Sequence, residues 1–503
     1  MQAQQAFVEE WSSPQAIQAW WDTPEQSFFH RPYSAELVAS LRDPLPSHLA
    51  SSVQGRKLRK VFEKHHQNKT ASVTIGALDV ITSHIMADLG YDTVYVSGAV
   101  CSLTDNPTDE FNSDMADYTY DTVPKKVNQL YRSQVQHARL NTFLKYKGDP
   151  RATYVDYMVP LIADADTGHG NATANMKLAK LFVEAGAAAI HLDDQVPGTK
   201  KTGAKTAGRV LVPVSELVSR LLALKFQFDV MGSECLIIQR TDAETAGYLT
   251  STIDARDRPF ILGSTNSTLS DSLVASIASA TSTPGDAEDE WVAAASLSTL
   301  DEAVRAACPD DALFATFTTK SAEQTVAQAA RTARELGIAF FWDCEAARSR
   351  EGWYRYRGNI DAAIMRSVAC ARYADVLWTR TPATVVEDLE KYAKEVKRQC
   401  GEDKWLGYNL AADVKGTDEE IKGFTSKLAG MGYVWQFLPL AGMSALAVGV
   451  ERGARAVRDD GILGLVKDVN KPGKAAAVSV LEKAWQGGDL SDAMVAAVTL
   501  KKE

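Results

Sequence analysis

The chain has 503 residues, of which 45% are hydrophobic and 23% are charged, as in ordinary globular enzymes. Its formal net charge of −10 argues against nucleic acid or an anionic membrane surface as a main partner. No apolar run approaches the roughly 20 residues that a membrane-spanning helix needs. The length suffices for one large barrel with additions, or for two domains.

Cysteine usage and the two ends of the chain bear on the cellular compartment. The 6 cysteines are scattered without paired spacing, which suits a reducing compartment and no disulfide framework. The N-terminal stretch MQAQQAFVEEW is acidic and lacks the features of a transit peptide or a secretion signal. The C-terminal KKE is not a peroxisomal SKL-type signal. These features predict a cytoplasmic protein.

The predicted elements begin with a polar helical layer over residues 1–70, in which Trp11, Trp20 and Trp21 serve as packing anchors. From Ser72 onward, apolar runs alternate with helical stretches at the spacing of βα repeats. The candidate strands are SVTIGALD, DTVYVSGA, YMVPLIADAD, AAIHLDDQ, CLIIQRTDAE, AFFWDCE, DVLWTR, WLGYNL and VWQFLPLAG. Nine candidates for eight places imply that one is peripheral. The predicted fold is therefore α/β, a (β/α)₈ TIM-type barrel with its active residues at the C-terminal ends of the strands.

A change of composition interrupts this pattern. Residues 266–338 are rich in Ser, Thr and Ala and are predicted to form a helical insertion in one βα connection. The barrel then occupies 71–265 and 339–450. Residues 451–503 are predicted to form a helical tail, so the barrel has helical extensions at both ends.

Acidic residues end two successive strands of the predicted barrel. Asp164 and Asp166 follow a buried run, and Asp193 and Asp194 follow the next strand, with the helical stretch MKLAKLFVEAGAAA between them. A βαβ unit makes the two strands parallel neighbours, so their acidic ends face the same side. Carboxylates converging there predict a Mg²⁺ or Mn²⁺ site. The alternative is a set of aspartates that cap turns and helices.

These residues also carry a resemblance. The chain resembles the isocitrate lyase family in three segments: ADADTGHG, the later DDQ and KK…RVLVP. This family belongs to the isocitrate lyase and phosphoenolpyruvate mutase superfamily. The resemblance is greatest to its eukaryotic branch, which includes fungal isocitrate and 2-methylisocitrate lyases. The resemblance implies that Asp164 is a direct Mg²⁺ ligand and that Asp114 reaches the metal through water. Asp166 and Asp193 stand where the family more often has glutamates. It also implies a homotetramer whose C-terminal helices exchange between subunits.

The residues near the predicted metal suit a 2-oxo acid. Ser97 and Gly98 follow a strand, and their backbone N–H groups can bind a small carboxylate. The Arg240 guanidinium can form two parallel hydrogen bonds to a carboxylate. His191 is either a hydrogen-bonding neighbour in the same layer or core filler. Tyr95 is the predicted base, because a phenol near a metal can have a depressed pKa; the alternative is a packed strand tyrosine.

The opposite wall departs from the family pattern. The family's KKCGH loop supplies a proton-donating cysteine, whereas this chain has KKTGA, with Thr202 at the cysteine and Gly203 retained. Where the family has an acid near Trp378, this chain has Arg380, and the family's Asn-x-Ser-Pro-Ser keeps only Asn409. Further departures are Pro439 in place of a threonine, and Ala99 in place of a tryptophan after the Ser-Gly pair; Lys205 and Arg209 are candidate replacements for the lost acid.

Most of these departures lie on the side of the site where the family is expected to hold succinate, and almost none lies on the side of the predicted metal. The sequence therefore predicts a Mg²⁺-dependent carbon–carbon lyase that acts on small carboxylic acids, with a glyoxylate- or pyruvate-type 2-oxo acid as one partner and a carboxylate other than succinate as the second. The alternatives are a catalytically inactive paralogue that binds or regulates, and an oxaloacetate hydrolase-like enzyme.

Overall fold

The computed structural model describes residues 11–43, 45–111, 113–200, 208–379, 381, 386–410, 415–478 and 483–499. Its centre is a sheet of eight strands that pair in parallel throughout, in the order 1-8-7-6-5-4-3-2 when the strands are numbered along the chain. A further parallel bridge between Gly76 and Tyr95 joins the first two strands and closes the ring. The predicted (β/α)₈ barrel is thus confirmed. Its strands are Ser72–Ile75, Val94–Val96, Leu161–Asp164, Ala189–Leu192, Leu236–Thr241, Val376–Thr379, Trp405–Asn409 and Tyr433–Leu438.

The strands form continuous apolar runs because both of their faces are buried. In the fifth strand, Leu236 and Ile238 belong to the cluster inside the barrel, whereas Ile237 packs in the outer core against the helices. Trp378 and Trp435 fill much of the barrel interior, and their rings meet edge-on with centroids 6.4 Å apart. The interior is therefore a packed core, and a site can form only at its ends.

Helices connect the strands on the outside of the barrel. The helix Ala172–Ala185 begins at Asn171, whose side chain accepts hydrogen bonds from the first turn, and ends at Gly186 in a left-handed conformation (φ 90°). It joins the third and fourth strands into the predicted βαβ unit. The other connecting helices are Val80–Asp88, Gly98–Thr104, Thr122–Tyr146, Val214–Met231, Ile360–Cys370, Val386–Cys400 and Asp418–Gly430.

The regions predicted to lie outside the barrel are helical in the structure, with short strands beside them. Before the barrel, the helices are Pro14–Trp21, Ala35–Leu41 and Leu49–Asn68. Within residues 266–338 they are Leu273–Ser279, Pro284–Ala295, Leu300–Ala307, Asp311–Ser321 and Val326–Glu335, with the strand Leu297–Thr299 paired to Leu262–Ser264. After the barrel they are Ala441–Asp460, Ile462–Gly464, Leu465–Asn470, Lys471–Ala475, Lys483–Gln486 and Gly488–Val498. In the described ranges, no helix combines the length and apolar character needed to cross a membrane.

One candidate strand, AFFWDCE (339–345), lies outside the barrel, and it is the peripheral member of the nine. Asp343 instead pairs antiparallel with Ser264, and the Trp342 indole donates a hydrogen bond to the Ser298 carbonyl (2.9 Å). The RVLVP segment likewise contributes no barrel strand. Its strand Arg209–Leu211 pairs with Ala246–Leu249 in a separate sheet that Tyr354–Arg355 completes.

Candidate active site

Three aspartates come together at the C-terminal ends of the third and fourth strands. Asp164 is the last residue of the third strand and pairs in register with His191 of the fourth, and Asp193 follows that fourth strand directly. Asp166 is turned back toward the same point by its own left-handed conformation (φ 48°), and its N–H donates to Asp164 Oδ1 (2.9 Å). All three side chains are buried. The βαβ topology thus places the acids where the sequence predicted them.

The side chain of Lys200 lies among these acids. Its ammonium pairs with Asp166 and lies 3.4 Å from Asp193 Oδ2, and the lysine is only 1% exposed. Burial alone would lower the pKa of Lys200, but the carboxylates of Asp166, Asp164, Asp114 and Asp193 raise it well above its ordinary value. Sequence reasoning missed this residue, although the signal was present in the KK pair that opens the altered loop.

The acids offer oxygen atoms that suit a hard divalent cation. Asp166 Oδ2 and Asp193 Oδ2 are buried and accept no hydrogen bond within the described ranges. Burial raises the pKa of Asp193 to about 7, and the positive charges of Lys200 and Arg240 oppose this shift. The described residues nevertheless include no group of three or more His, Cys, Asp or Glu side chains arranged to hold a metal ion. The carboxylate oxygens are of the type that Mg²⁺ prefers, and the cation that the structure places beside them is the Lys200 ammonium.

Tyr95 and His191 hold the remaining acid, Asp164. The Tyr95 hydroxyl donates to Asp164 Oδ2 (3.0 Å) and lies 2.9 Å from His191 Nε2, and the Gly98 N–H also donates to Asp164 Oδ2 (3.2 Å). Burial lowers the pKa of His191 to about 4, so its ring is neutral. Burial and the charge of Asp164 raise the pKa of Tyr95 well above its ordinary value. The sequence predicted a depressed pKa for Tyr95 beside a bound metal, and that prediction stays untested. In the structure the Tyr95 hydroxyl is a hydrogen-bond donor that positions Asp164.

Arg240 lies beside this cluster at the end of the fifth strand. Its guanidinium forms a two-pronged contact with Asp242, with Nη2 to Oδ1 at 3.1 Å and Nε to Oδ2 at 3.0 Å. It also stacks over the Trp378 ring at 4.6 Å, and Gln195 donates to Asp242 Oδ2 from the other side (2.9 Å). Sequence reasoning selected Arg240 but missed Asp242 and Gln195, although both lie within two residues of selected positions. Asp242 fixes the direction of the guanidinium, which is a requirement for a carboxylate clamp.

The other predicted residues of the metal side lie nearby in different roles. The Ser97 hydroxyl accepts from Val100 N (3.3 Å) and caps the helix Gly98–Thr104. Ala99 is half-buried in that helix. Asp114 is half-buried and accepts from the Ser102 hydroxyl (3.0 Å), and its charge contributes to the raised pKa of Lys200. The Ser97 hydroxyl at the predicted carboxylate pocket therefore already accepts a hydrogen bond from the Val100 N–H.

The predicted substrate wall is described in part. Trp378 is 2% exposed and meets the His191 ring edge-on at 4.9 Å, so it packs beneath the site as part of the barrel interior. Asn409 ends the seventh strand, and its Oδ1 is buried without a hydrogen-bond partner among the described residues. Arg209 contacts Thr245 and lies 4.0 Å from Asp242. Thr202, Gly203, Lys205 and Arg380 lie outside the described residues.

Asp194, the second acid of the DDQ motif, is turned away from the cluster. It accepts from the Thr241 hydroxyl (2.6 Å), the Asp242 N–H (2.9 Å) and Arg366 Nη1 (3.2 Å). Arg366 also donates to Asp257 Oδ1 (2.6 Å), and all of these charged side chains are buried. Asp194 therefore links the end of the fourth strand to the outer helix Ile360–Cys370 through Arg366.

The sequence of the chain is similar to known proteins over nearly its whole length. The isocitrate lyase family profile matches residues 13–500. Isocitrate lyase from Oryza sativa subsp. japonica is 40% identical over 511 residues, covering 96% of this chain and 89% of the rice protein. The mitochondrial 2-methylisocitrate lyase of Hypocrea atroviridis is 36% identical over 512 residues, covering 96% of this chain and 90% of that protein.

A solved structure of a phosphoenolpyruvate phosphomutase from Streptomyces platensis subsp. rosaceus aligns with a TM-score of 0.49 at 14% identity, covering 88% of this chain and 99% of that one. The family profile and the two lyase relatives each extend over nearly the whole chain. The chain belongs to the isocitrate lyase family, and it is an isocitrate lyase-like protein built on a (β/α)₈ barrel.

Proposed function

We propose that the protein is a Mg²⁺-dependent lyase that cleaves, or in reverse forms, a carbon–carbon bond of a 2-hydroxy carboxylic acid. The products are a 2-oxo acid of the glyoxylate or pyruvate type and a second carboxylate other than succinate. The observation that carries the proposal is the convergence of Asp164, Asp166 and Asp193 beside Arg240 at the C-terminal end of the barrel.

In this proposal Asp164, Asp166 and Asp193 hold the ion, with Asp114 nearby. A bound Mg²⁺ supplies Lewis-acid stabilisation of the oxygen atoms of the substrate. Tyr95, through its hydrogen bond to Asp164, positions that carboxylate. Arg240, held in direction by Asp242, supplies a fixed positive charge for a carboxylate of the 2-oxo acid.

The second carboxylate is proposed from sequence differences. Thr202 replaces the cysteine that the family resemblance assigns as proton donor, and an alcohol is a far weaker acid than a thiol. Ala99 is half-buried beside Gly98, where a small side chain leaves room for an alkyl group on the 2-oxo acid. The altered wall at Asn409 and Pro439 lacks the hydroxyls that the resemblance assigns to succinate.

An inactive, ligand-binding paralogue is a second candidate, and the chemistry of the cysteines favours it. Cys101 lies on the helix that follows Ser97, in the field of Asp166 and Asp164, but it is buried and its thiol pKa is raised, chiefly by burial and then by Asp105. A buried thiol of this kind is a poor replacement for the lost acid. Binding of a 2-oxo acid without turnover is what this candidate requires.

The experiment combines calorimetry and turnover. The purified full chain with Mg²⁺ is titrated with glyoxylate and with pyruvate, and then assayed for release of either acid from isocitrate, 2-methylisocitrate and longer 2-alkyl analogues. We expect binding of a 2-oxo acid and turnover of an analogue other than isocitrate. Asp164→Asn should lose turnover by about 100-fold or more, whereas the matched Asp403→Asn, at a fully exposed side chain, should leave it unchanged.

Binding without turnover of any analogue would favour the inactive paralogue. If neither 2-oxo acid binds in the presence of Mg²⁺, both functions are refuted.

The proposal includes a homotetramer that exchanges C-terminal helices. In its support, the helix Ala441–Asp460 and the short helix Ile462–Gly464 expose large apolar side chains that no other described part of the subunit covers. They are Leu446, Val448, Val450, Val457, Ile462 and Leu463. Light scattering after gel filtration should give four times the 54.7 kDa chain mass, and a monomer would refute this part.

A further inference from the structure

A cavity of about 800 Å³ lies at the end of the barrel opposite to the acid cluster. Its lining includes residues that come just before the sixth and seventh strands, among them Arg372, Asp375 and Lys404. The helix Leu49–Asn68 and Phe28 of the N-terminal layer contribute further walls. No step of the proposed reaction uses this cavity.

The amino group of Lys404 is held in this cavity by two backbone carbonyls. Its Nζ donates to the Ala371 carbonyl (2.8 Å) and to the Ala374 carbonyl, and it faces the Phe28 ring with 5.0 Å to the centroid. The two hydrogen bonds to the carbonyls need only two hydrogen atoms, so a neutral amine satisfies both of them. Its lone pair then points away from the carbonyls and is free to react.

The surroundings of Lys404 favour this neutral form. Burial lowers the pKa of Lys404 to about 8, and the negative charge of Asp375, which is itself paired with Arg59 (2.6 Å), opposes the shift. At pH 7.5 roughly a quarter of the chains then carry the free amine, against about 0.1% for a lysine of ordinary pKa. Lys404 is half-buried and lines the cavity, so a small molecule in the cavity reaches the amine. A desolvated lysine of this kind is a nucleophile for carbonyl carbon atoms.

A guanidinium lies close to this amine in the sequence and in the cavity wall. Arg372 follows Ala371, is exposed and lines the same cavity, and within the described ranges its side chain has no ion-pair partner. Acidic side chains also line the cavity, so a carboxylate is attracted only where it meets Arg372; they are Glu25, Glu63, Asp375 and Asp403. A small molecule that carries both an aldehyde and a carboxylate suits the amine and the guanidinium together.

We propose that Lys404 is a covalent binding site for a glyoxylate-type 2-oxo acid, which it holds as an imine with the carboxylate directed to Arg372. The Lys404 nitrogen forms a bond to the aldehyde carbon, and the aldehyde oxygen leaves as water with the two hydrogens of the amine, so no oxidant or reductant is needed. The inference rests on the proposed function for the source of the acid, since the lyase reaction releases it. It gives that product a second site, remote from the acid cluster.

The first test traps the imine in the unaltered full chain. The protein is incubated with glyoxylate and sodium cyanoborohydride, which reduces an imine to a stable carboxymethyl-lysine, and peptide mass spectrometry locates the label. At pH 7.5 we expect Lys404 to be labelled at least about tenfold faster than Lys64, which is exposed on the helix Leu49–Asn68. Lys225, which is buried and bonded to Asp229 (2.8 Å), should stay unlabelled.

The second test concerns the carboxylate of the acid. Arg372→Gln removes the guanidinium at an exposed position. We expect this variant to lower the rate of glyoxylate labelling at Lys404 by about tenfold, and to leave labelling by acetaldehyde, which has no carboxylate, unchanged. The matched control is Arg398→Gln, because Arg398 is also exposed but pairs with Glu395 (2.9 Å) outside the cavity. Its labelling by both aldehydes should equal that of the unaltered chain.

Labelling of Lys404 that is no faster than that of Lys64 would overturn the covalent site. Glyoxylate labelling that is as fast in Arg372→Gln as in the unaltered chain would overturn the pairing of the carboxylate with Arg372. Because glyoxylate is added and labelling needs neither metal nor turnover, both results leave the proposed lyase reaction standing. A failed turnover assay would instead refute the proposed source of the acid and leave the labelling of Lys404 as expected.

Discussion

Gly98 offers a direct test of how tightly the acid cluster is packed. It is buried at the start of the helix Gly98–Thr104, and a Cβ added to it would lie 2.7 Å from Asp164 Oδ2 and 2.8 Å from Asp166 Oδ2. Both distances are well inside van der Waals contact, so Gly98→Ala must push the two carboxylates apart. Overpacking of this kind costs about 1–3 kcal/mol, against a gain of about 0.5–1 kcal/mol for alanine over glycine in a helix.

We therefore expect Gly98→Ala to lower the free energy of unfolding by about 1–2 kcal/mol. We also expect it to weaken Mg²⁺ binding by roughly 10–100-fold, because the added Cβ displaces the Asp164 carboxylate from the Gly98 N–H that orients it. Urea denaturation followed by circular dichroism measures the first quantity, and calorimetry measures the second. The control is Gly423→Ala on the exposed face of the helix Asp418–Gly430, where an added Cβ meets nothing within 4 Å. It should stabilise the protein by about 0.5–1 kcal/mol. A Gly98→Ala protein as stable as the Gly423→Ala protein, with unchanged metal affinity, would refute this account of the cluster.

Two further predictions concern buried charge away from the cluster. Arg366→Met should lower the free energy of unfolding by about 3–5 kcal/mol, because Asp194 and Asp257 would remain buried without their cation; a loss below about 1 kcal/mol in urea denaturation would contradict this. Stability should also fall as the pH drops from 6.5 to about 4, because burial and then the neighbouring His84 lower the pKa of His137 from 6.5 to about 4, so that the unfolded chain takes up the proton first. The ring is partly exposed, so we expect about 1–2 kcal/mol from this residue. The check is the difference between the pH profiles of the unaltered chain and His137→Phe, and identical profiles would show that His137 is not responsible.

Much of the fold could be predicted from the sequence because βα repeats have a short-range signature. Each barrel strand is an apolar run followed by polar or glycine residues, and the parallel pairing of neighbours follows from the connecting helix. The same signature misidentified AFFWDCE, because an apolar run packed against Ser264 and Ser298 looks like a barrel strand in one dimension. Only the three-dimensional pairing distinguishes these two environments.

That Asp164 and Asp193 lie together follows from the local sequence, since they come at the ends of adjacent strands of one βαβ unit. The surroundings of these acids depend on the complete fold. Lys200 pairs with Asp166, which lies 34 positions earlier in the chain, and the burial of Lys200 depends on how the chain returns over the strand ends. The direction of the pKa shift of Tyr95 likewise depends on burial and on the distance to Asp164, which are properties of the assembled barrel. Strand order is encoded locally, whereas desolvation and ion pairing are sums over residues distant in the chain, so they become defined only when the chain is folded.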